Sequence, residues 1–281
     1  MSSKPGPILP GATLGILGGG QLGRMLALAA APLGYRCHIY TPERDSVAAE
    51  VAAEVTVAPF TDPLALGRFA EECDAITFEW ENVPTAPLQF LADRIAPGLR
   101  ALETAQDRVK EKAHFVACAA ISGVSPAPHA VITTDASLAA VPADLLPGIL
   151  KTARMGYDGK GQVRVKTPAE LAAAWDSVGQ VPCVLEKMLP LQLECSVLVA
   201  RGHDGAMVHL PVQRNLHRDG ILAVTEVYEE NLPSALAAQA VAAAKSVAEG
   251  LQYVGVLCVE FFVLQDGSLV VNEIAPRPHN S

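Results

Sequence analysis

Two glutamates near the C-terminal end of the chain have the residue type and spacing of a metal-binding pair. Residues 258–274 form two apolar, strand-like runs around QDGS at 265–268, and Asp-Gly is a strong signal for a two-residue hairpin turn. If the first and last residues of this turn face each other, Glu260 lies directly opposite Glu273. At a few ångströms and an effective dielectric constant near 20, two such carboxylates repel each other by about 4 kcal/mol.

A divalent cation between the two carboxylates would offset this repulsion. Oxygen ligands without histidine favour Mg²⁺, which completes its coordination shell with water and nucleotide phosphates. The same register places Phe262, Leu264, Leu269 and Val271 beside the carboxylates and turns Asn272 to the opposite face, where we expect it to support the metal or face a substrate. An irregular register or a shared proton is the alternative.

A lysine and a glycine-rich loop indicate a second phosphate-binding feature. Lys151 ends the apolar run 148–150 and should project from a strand, and the loop GYDGKGQ follows at 156–162. Its three glycines permit a flap whose backbone amides surround phosphates. The spacing is not that of a Walker A loop. An ordinary surface hairpin is the alternative, but the preceding lysine and the later acidic pair favour a nucleotide.

A first glycine loop lies near the N-terminus. Gly18, Gly20 and Gly23 follow a strand and precede a helix, which is the arrangement of an anion site at a helix N-terminus. The glycines could instead serve only tight packing. An NAD-dependent oxidoreductase needs an acidic residue at the end of the second strand. Here Glu43 comes late, beyond Pro42, so we predict that the loop binds a substrate phosphate.

The first hundred residues should hold this loop on a parallel, doubly wound sheet. Strands alternate with helices, and this order is typical of an α/β fold. The predicted strands are Thr13–Leu17, Arg36–Tyr40 and Asp74–Phe78, with a helix at Pro63–Glu72.

Beyond this region, strands become frequent enough to predict antiparallel sheets and an α+β fold. The predicted strands are Gly148–Thr152, Gln162–Val165, Cys183–Lys187 and Glu194–Ala200. The predicted helices are Asp107–Ile121, Pro168–Val178 and Ser234–Leu251, the last with Ser234 as its N-cap.

Composition excludes several classes of protein. The 21 basic and 30 acidic residues give a net charge of −9 without a basic block, which argues against nucleic-acid binding. No apolar stretch is long enough to span a bilayer, and residues 1–11 lack the apolar core of a signal peptide. The six cysteines are far apart and contain no CxxC pair, which favours reduced, buried thiols and a cytoplasmic location.

Eight segments spread over the chain contain these features. They are GGGQLGRM (18–25), FEWENV (78–83), QDRVKEK (106–112), ILKTARMGYDGKGQ (149–162), EKM (186–188), NLHRDGI (215–221), YVGVLCVEFF (253–262) and NEIAPRPHNS (272–281). In sequence and order they resemble the ATP-grasp ligases, most closely the 5-(carboxyamino)imidazole ribonucleotide synthases of purine biosynthesis. The resemblance implies ATP-dependent carboxylation of aminoimidazole ribonucleotide by bicarbonate through carboxyphosphate, with ATP and Mg²⁺.

The resemblance also implies a domain organisation. A substrate-binding pre-ATP-grasp domain of the doubly wound α/β type would occupy residues 1–106. Two α+β subdomains of an ATP-grasp domain would follow, at 107–190 with the glycine flap and at 191–281. The family has further residues beyond the position of Ser281, including a small C-terminal domain with basic residues for the substrate phosphate, and we expect a homodimer.

Roles for individual residues follow from the resemblance. Glu260 and Glu273 would bind Mg²⁺. The nucleotide would contact Arg108, Lys151, Gly156, Tyr157, Asp158, Gly159, Lys160, Gly161, Gln162, Glu186, Lys187, Met188, Leu189, Glu194, His217, Asn272 and Glu273. The ribonucleotide and bicarbonate would contact Gly20, Gln21, Leu22, Glu79, Asn82, Tyr157, Arg277, His279 and Asn280.

For catalysis, we expect Arg277 to orient bicarbonate and His279 or Asp158 to transfer protons. Simpler roles remain open for several of these residues: a solvated strand end for 79–82, a turn for His217 and a polar strand exit for 277–279. The rival functions are a formate-dependent purine transferase, a biotin-carboxylase-like ligase, an NAD-dependent oxidoreductase and a non-catalytic nucleotide sensor.

Overall fold

The computed structural model describes residues 7–156, 161–218, 221–228 and 230–281. Its N-terminal elements are β1 (Thr13–Leu17), α1 (Gln21–Ala30), β2 (Arg36–Thr41), β3 (Glu54–Val57), α2 (Pro63–Glu71) and β4 (Ala75–Phe78). The four strands form a parallel sheet in the order β3-β2-β1-β4. Ile16 and Ile39 are buried with residues of α1, and the alternate residues Leu17 and Tyr40 are buried with residues of α2. Helices on both faces confirm the doubly wound sheet.

A second sheet follows a 3₁₀ segment at Ala86–Arg94 and α3 (Leu99–Ala105). Its region contains α4 (Arg108–Ser122), β5 (His129–Ile132), α5 (Asp135–Ala139), β6 (Gly148–Thr152), β7 (Gln162–Val165), α6 (Pro168–Ser177) and β8 (Cys183–Lys187). The strands are antiparallel in the order β5-β8-β6-β7. Trp175 of α6 is buried with Leu150 and Leu185, which fixes this helix to the sheet.

A third, larger antiparallel sheet completes the fold. Its region contains β9 (Leu191–Arg201), β10 (Met207–His209), β11 (Gln213–Arg218), β12 (Ile221–Glu226), α7 (Ser234–Gly250), β13 (Gly255–Leu264) and β14 (Leu269–Ala275). The order is β12-β11-β9-β13-β14, with β10 paired to β9. Phe115 of α4 and Val247 of α7 are buried with Val197 and Leu257 of the sheet. The predicted change from a parallel to an antiparallel architecture is therefore confirmed.

Polar N-caps explain where several helices begin. Asp62 accepts hydrogen bonds from the amides of Leu64 and Ala65 at 3.0 and 3.1 Å, and Asp107 accepts one from Val109 at 3.0 Å. The prediction for Ser234 was wrong. Pro233 occupies the N-cap position of α7, and no side chain among the described residues makes a cap hydrogen bond to this helix. Ser234 is already the first helical residue, where its hydroxyl is past the cap position.

Among the described residues, no helix is both long and apolar enough to cross a membrane.

Candidate active site

A cavity of about 610 Å³ lies between the second and third sheets and is bordered by the start of α4. Most of the residues that the sequence singled out are in its wall. They are Asn82, Arg108, Lys151, Gly156, Gln162, Glu186, Lys187, Met188, Leu189, Glu194, His217, Glu260, Asn272, Glu273, Arg277, His279 and Asn280. Tyr157, Asp158, Gly159 and Lys160 lie outside the described residues. Gly161 is described but does not line the cavity.

The predicted pairing of Glu260 with Glu273 is confirmed, although the turn that joins their strands differs from the prediction. Leu264, not Gln265, faces Ser268, and its amide donates to the Ser268 carbonyl at 2.9 Å. The turn thus has three residues, and Gly267 adopts a left-handed conformation with φ of 82°. A bulge beyond Glu260 shifts the register back by one residue. The longer turn and the bulge shift the register in opposite directions, so Glu260 still faces Glu273.

The predicted environment of the pair is confirmed in part and wrong in part. Asn272 lines the cavity together with Glu273, because the extra residue interrupts the two-residue alternation of β14. Leu269 and Val271, predicted beside the carboxylates, are instead buried in the hydrophobic core. Phe262 and Leu264 do line the cavity, as predicted, and Phe262 pairs with Val270. The amide of Asn272 is therefore available on the same side as the acidic pair.

Three carboxylates meet basic side chains in the cavity. Glu260 Oε1 lies 3.0 Å from His279 Nε2, Glu273 Oε2 lies 3.5 Å from Arg108 Nη1, and Glu194 contacts His217. Burial raises the pKa of Glu194, and the negative charges of Glu260 and Glu273 raise it further. The contact with His217 acts in the opposite direction. Concentrated carboxylate oxygens of this kind fit Mg²⁺.

Lys151 belongs to a buried ionic network at the wall of the cavity. Its Nζ donates to Glu186 Oε2 at 2.7 Å, and Lys112 Nζ lies 3.0 Å from Glu186 Oε1. Lys112 also donates to the carbonyl of Asn272 at 2.7 Å, which joins α4 to β14. Burial opposes ionisation of Glu186, but the two lysines outweigh it and lower its pKa to about 2. Glu186 is therefore ionised and held in place at neutral pH.

Lys112 and Glu111 have structural roles that the sequence analysis missed. Glu111 is buried, and its Oε1 accepts the amide of Ile274 at 2.9 Å. Burial raises its pKa to about 8, although Lys112 acts in the opposite direction. Helical periodicity could have found both residues. They lie three and four positions after Arg108, on the face that also carries the buried Phe115.

The first glycine loop holds a carboxylate of the chain itself. The amides of Gly20 and Gly23 donate to the two oxygens of Glu79 at 3.0 and 3.3 Å. This geometry demonstrates that the helix N-terminus accepts an anion. Gln21 is exposed, whereas the side chain of Leu22 is buried, so any contact of Leu22 with a phosphate would be through its backbone.

The segment that follows β4 connects the glycine loop to the cavity. Glu79 is at the loop, and Glu81 and Asn82 line the cavity. The Gln106 side chain fixes this segment by donating to the carbonyls of Glu81 and Val83 at 2.6 and 2.7 Å. The two sites are thus joined by a few residues of backbone.

The C-terminal residues approach the cavity from the end of β14. Arg277 binds the Glu81 carboxylate, and it also donates to the carbonyl of Pro278 at 3.1 Å. Burial disfavours the charged form of His279, but hydrogen bonds to Cys258 and Glu260 raise its pKa to about 10. His279 is therefore a cation at neutral pH in this arrangement, suited to orienting an anion or donating a proton.

Two family models match the chain. A ribonucleotide synthetase preATP-grasp domain matches residues 11–106, and an ATP-grasp domain matches residues 118–281. Among curated relatives, the N5-carboxyaminoimidazole ribonucleotide synthase of Brucella melitensis is 44% identical over 281 residues, covering 97% of this chain and 75% of the relative. That of Bacillus subtilis is 36% identical and covers 98% of this chain and 72% of the relative.

Solved structures agree in fold. An ADP complex of an N5-carboxyaminoimidazole ribonucleotide synthetase superposes with a TM-score of 0.89 at 38% identity, covering 98% of this chain and 72% of that one. The Aspergillus clavatus synthase in complex with ADP and 5-aminoimidazole ribonucleotide gives a TM-score of 0.82 at 28% identity, covering 96% and 71%. The chain therefore spans roughly three quarters of the length of these relatives.

Proposed function

The chain belongs to the N5-carboxyaminoimidazole ribonucleotide synthase family of ATP-grasp ligases, and from this premise we propose how its two sites divide the reaction. The enzyme carboxylates 5-aminoimidazole ribonucleotide with ATP in purine biosynthesis. The observation that carries our assignment is the convergence of Glu260 and Glu273 with Lys151 and Arg108 on one cavity. Carboxylates for a metal and cations for phosphates are the parts that phosphoryl transfer needs.

Residues 1–106 bind the ribonucleotide in this proposal, and subdomains 107–190 and 191–281 close on the nucleotide. Separate sheets within these three ranges support the division.

The nucleotide lies along the cavity. Arg108, Lys151 and the flap 156–162 hold its phosphates, and the backbone of 186–189 follows the adenine. Glu194 accepts the ribose hydroxyls beside His217. Burial lowers the pKa of Lys151, while the Glu186 carboxylate acts in the opposite direction and accepts a hydrogen bond from its Nζ.

Glu260 and Glu273 hold Mg²⁺ with support from Asn272. When bound, the metal spreads the negative charge of the transferred phosphoryl group. The chain's own residues position the reactants. Arg277 orients bicarbonate so that one of its oxygens attacks the γ-phosphorus and ADP leaves, giving carboxyphosphate.

The acceptor amine then attacks the carboxyl carbon, or CO₂ released from carboxyphosphate, and phosphate leaves. His279 or Asp158 handles the protons, and Tyr157 and Asn280 complete the pocket. Exclusion of water by the flap protects the intermediate from hydrolysis.

The ribonucleotide is bound at the first glycine loop and extends from there to the cavity. Its phosphate meets the amides at Gly20, Gln21 and Leu22, while Glu79 and Asn82 approach the ribose or ring. Because Glu79 binds the amide of Gly20, and that of Gly23 in the same turn, its carboxylate must turn toward the ribose when the phosphate arrives.

We propose a cytoplasmic homodimer. The six buried, unbridged cysteines suit a reducing compartment. The exposed apolar side chains of Met25, Leu28 and Leu33 on and after α1 suit a covered surface. Sedimentation equilibrium tests the oligomeric state.

ADP release that requires both bicarbonate and 5-aminoimidazole ribonucleotide tests the proposed reaction. Replacing bicarbonate by formate should stop turnover; equal turnover with formate would indicate a formate-using ligase. Carboxylation of biotin in place of the ribonucleotide would indicate a biotin-carboxylase-like enzyme. ATP binding without any turnover would leave a nucleotide sensor.

A methyl group at Gly20 should weaken ribonucleotide binding selectively. The φ of −79° suits any residue, but a Cβ would lie 2.8 Å from Glu79 Oε1, the anionic oxygen that the Gly20 amide holds, so it would crowd any phosphate oxygen bound in that place. We expect Gly20→Ala to raise the KM for the ribonucleotide by about tenfold or more, since hydrogen bonds to charged groups contribute about 1.5–3 kcal/mol. The Kd for ADP should not change. Gly67→Ala is the control, because a Cβ there meets nothing within 4 Å.

A further inference from the structure

Three potential metal ligands converge in the N-terminal sheet, away from the cavity. His38 on β2 pairs in register with Glu54 on β3, and Glu72 follows the last residue of α2. His38 Nδ1 lies 3.3 Å from Glu72 Oε2 and 3.8 Å from Glu54 Oε2. One ligand atom from each residue lies within 4.8 Å of the other two. The distances are those of groups able to share one small ion.

The imidazole is buried, and the nitrogen that faces the two carboxylates lacks a hydrogen-bond partner among the described residues. His38 is 2% exposed, and Nδ1 makes no hydrogen bond to any residue that the structure describes. Nε2 lies 2.8 Å from the hydroxyl oxygen of Thr56. If Nε2 carries the hydrogen and donates to Thr56, Nδ1 presents its lone pair to the two carboxylates. A second hydrogen bond of this kind commonly fixes the tautomer of a metal-binding histidine.

The surroundings leave this lone pair uncompensated. Arg36 neutralises part of Glu54 but binds its other oxygen, Oε1, at 2.7 Å. Phe69 packs edge-on against the imidazole with ring centroids 4.8 Å apart, so water does not approach from that side. Burial lowers the pKa of His38, although Glu72 and Glu54 oppose this shift. When the imidazole is neutral, the two carboxylates have no positive charge between them.

We propose that His38, Glu54 and Glu72 bind a divalent transition-metal ion, with Zn²⁺ as the best fit. One imidazole nitrogen and two carboxylate oxygens form a three-ligand set that Zn²⁺ accepts and completes with water, whereas Mg²⁺ prefers oxygen ligands alone. The ion ties the end of α2 to β2 and β3. It thus stabilises the ribonucleotide-binding domain without entering the reaction.

The test is Zn²⁺ binding by the full chain after metal removal with EDTA, measured by isothermal titration calorimetry and by the shift in Tm. Glu72→Gln keeps the size of an exposed side chain, so it should fold. We expect it to weaken Zn²⁺ binding at this site by at least about tenfold, since removal of an outer partner alone costs metal sites about 10- to 100-fold. The Zn²⁺-induced rise in Tm should be lost. Glu71→Gln, the neighbouring exposed glutamate, is the control and should bind as the unchanged chain does.

Co²⁺ distinguishes this site from the cavity, where Cys258, Glu260 and His279 also lie within 4.8 Å of one another. Co²⁺ at His38 should give visible bands without a thiolate charge-transfer band, and Glu72→Gln should remove them. Equal Zn²⁺ affinity in Glu72→Gln and Glu71→Gln would overturn the proposal. Nitrogen NMR provides a second test, in which Zn²⁺ is added to the EDTA-treated chain. If Nδ1 of His38 still carries a hydrogen shared with Glu72 after this addition, the proposal is also overturned.

Discussion

Replacing Glu273 by Gln should reduce ADP formation that depends on bicarbonate and ribonucleotide by at least about a thousandfold. The amide keeps the size of the side chain but removes one of the two charges that face each other across β13 and β14. Metal ions stabilise transition-state charge by several kcal/mol, and about 1.4 kcal/mol corresponds to a tenfold change in rate. The measurement is the initial rate of ADP release at saturating MgATP.

The affinity for ADP should show the loss of metal binding in Glu273→Gln without the need for turnover. In the unchanged chain we expect Mg²⁺ to tighten ADP binding, and in Glu273→Gln this dependence should largely disappear. Glu249→Gln is the matched control, since this exposed carboxylate on α7 pairs with Arg201 and does not line the cavity formed by the described residues. Unchanged turnover in Glu273→Gln would refute the assignment of Glu273 to the metal.

Replacing Glu186 by Gln should destabilise the fold by about 3–5 kcal/mol at neutral pH. The carboxylate is 4% exposed and compensates two buried ammonium groups, Lys112 and Lys151. Removing one partner from a buried ionic cluster leaves the remaining charges unpaired, which accounts for a cost of about this size. Urea denaturation measures the change in the free energy of unfolding. Glu103→Gln, a surface residue near Lys110, should change it by less than about 0.5 kcal/mol.

The effect of Glu186→Gln should depend on pH with a defined sign. The pKa of Glu186 is about 2 in the folded chain and 4.5 without the fold, so the unfolded state binds its proton first as pH falls. The stabilisation is therefore complete above about pH 4.5 and is lost progressively toward pH 2, amounting to about 3 kcal/mol. The difference between the unchanged chain and the variant should shrink from pH 5 to pH 3. A constant difference would mean that Glu186 acts by packing alone.

Much of the site was predictable because its chemistry is carried by short local patterns. The strands Gly148–Thr152 and Cys183–Lys187 were predicted with the bounds that the structure has, since each is an apolar run with clear ends. Lys151 and Glu186 were recognised as members of the site. Their contact with each other was not, because it depends on the register between β6 and β8, and this register is set by pairs distant in sequence.

The hairpin of β13 and β14 shows most clearly which features the local sequence predicts and which depend on tertiary packing. The composition around Asp266-Gly267 indicated that two strands meet there. Glu260 opposes Glu273 as predicted, but only because the longer turn and the bulge shift the register in opposite directions. The local pattern did not reveal the three-residue turn, the bulge, or the shift of Asn272 into the cavity. A bulge depends on how a strand packs against its neighbours, here the core on one side and the cavity on the other.

The sequence by itself determined the fold class, the family and many of the charged residues that line the cavity, because periodicity and turn residues act over a few positions. Only the tertiary structure decided which charges meet. Lys112 joins Glu186 to the backbone of Asn272, Glu79 occupies the amides of the glycine loop, and His38 faces Glu54 and Glu72. Each of these contacts joins residues from separate elements. Their energies depend on burial and distance, and neither quantity exists until the chain has folded.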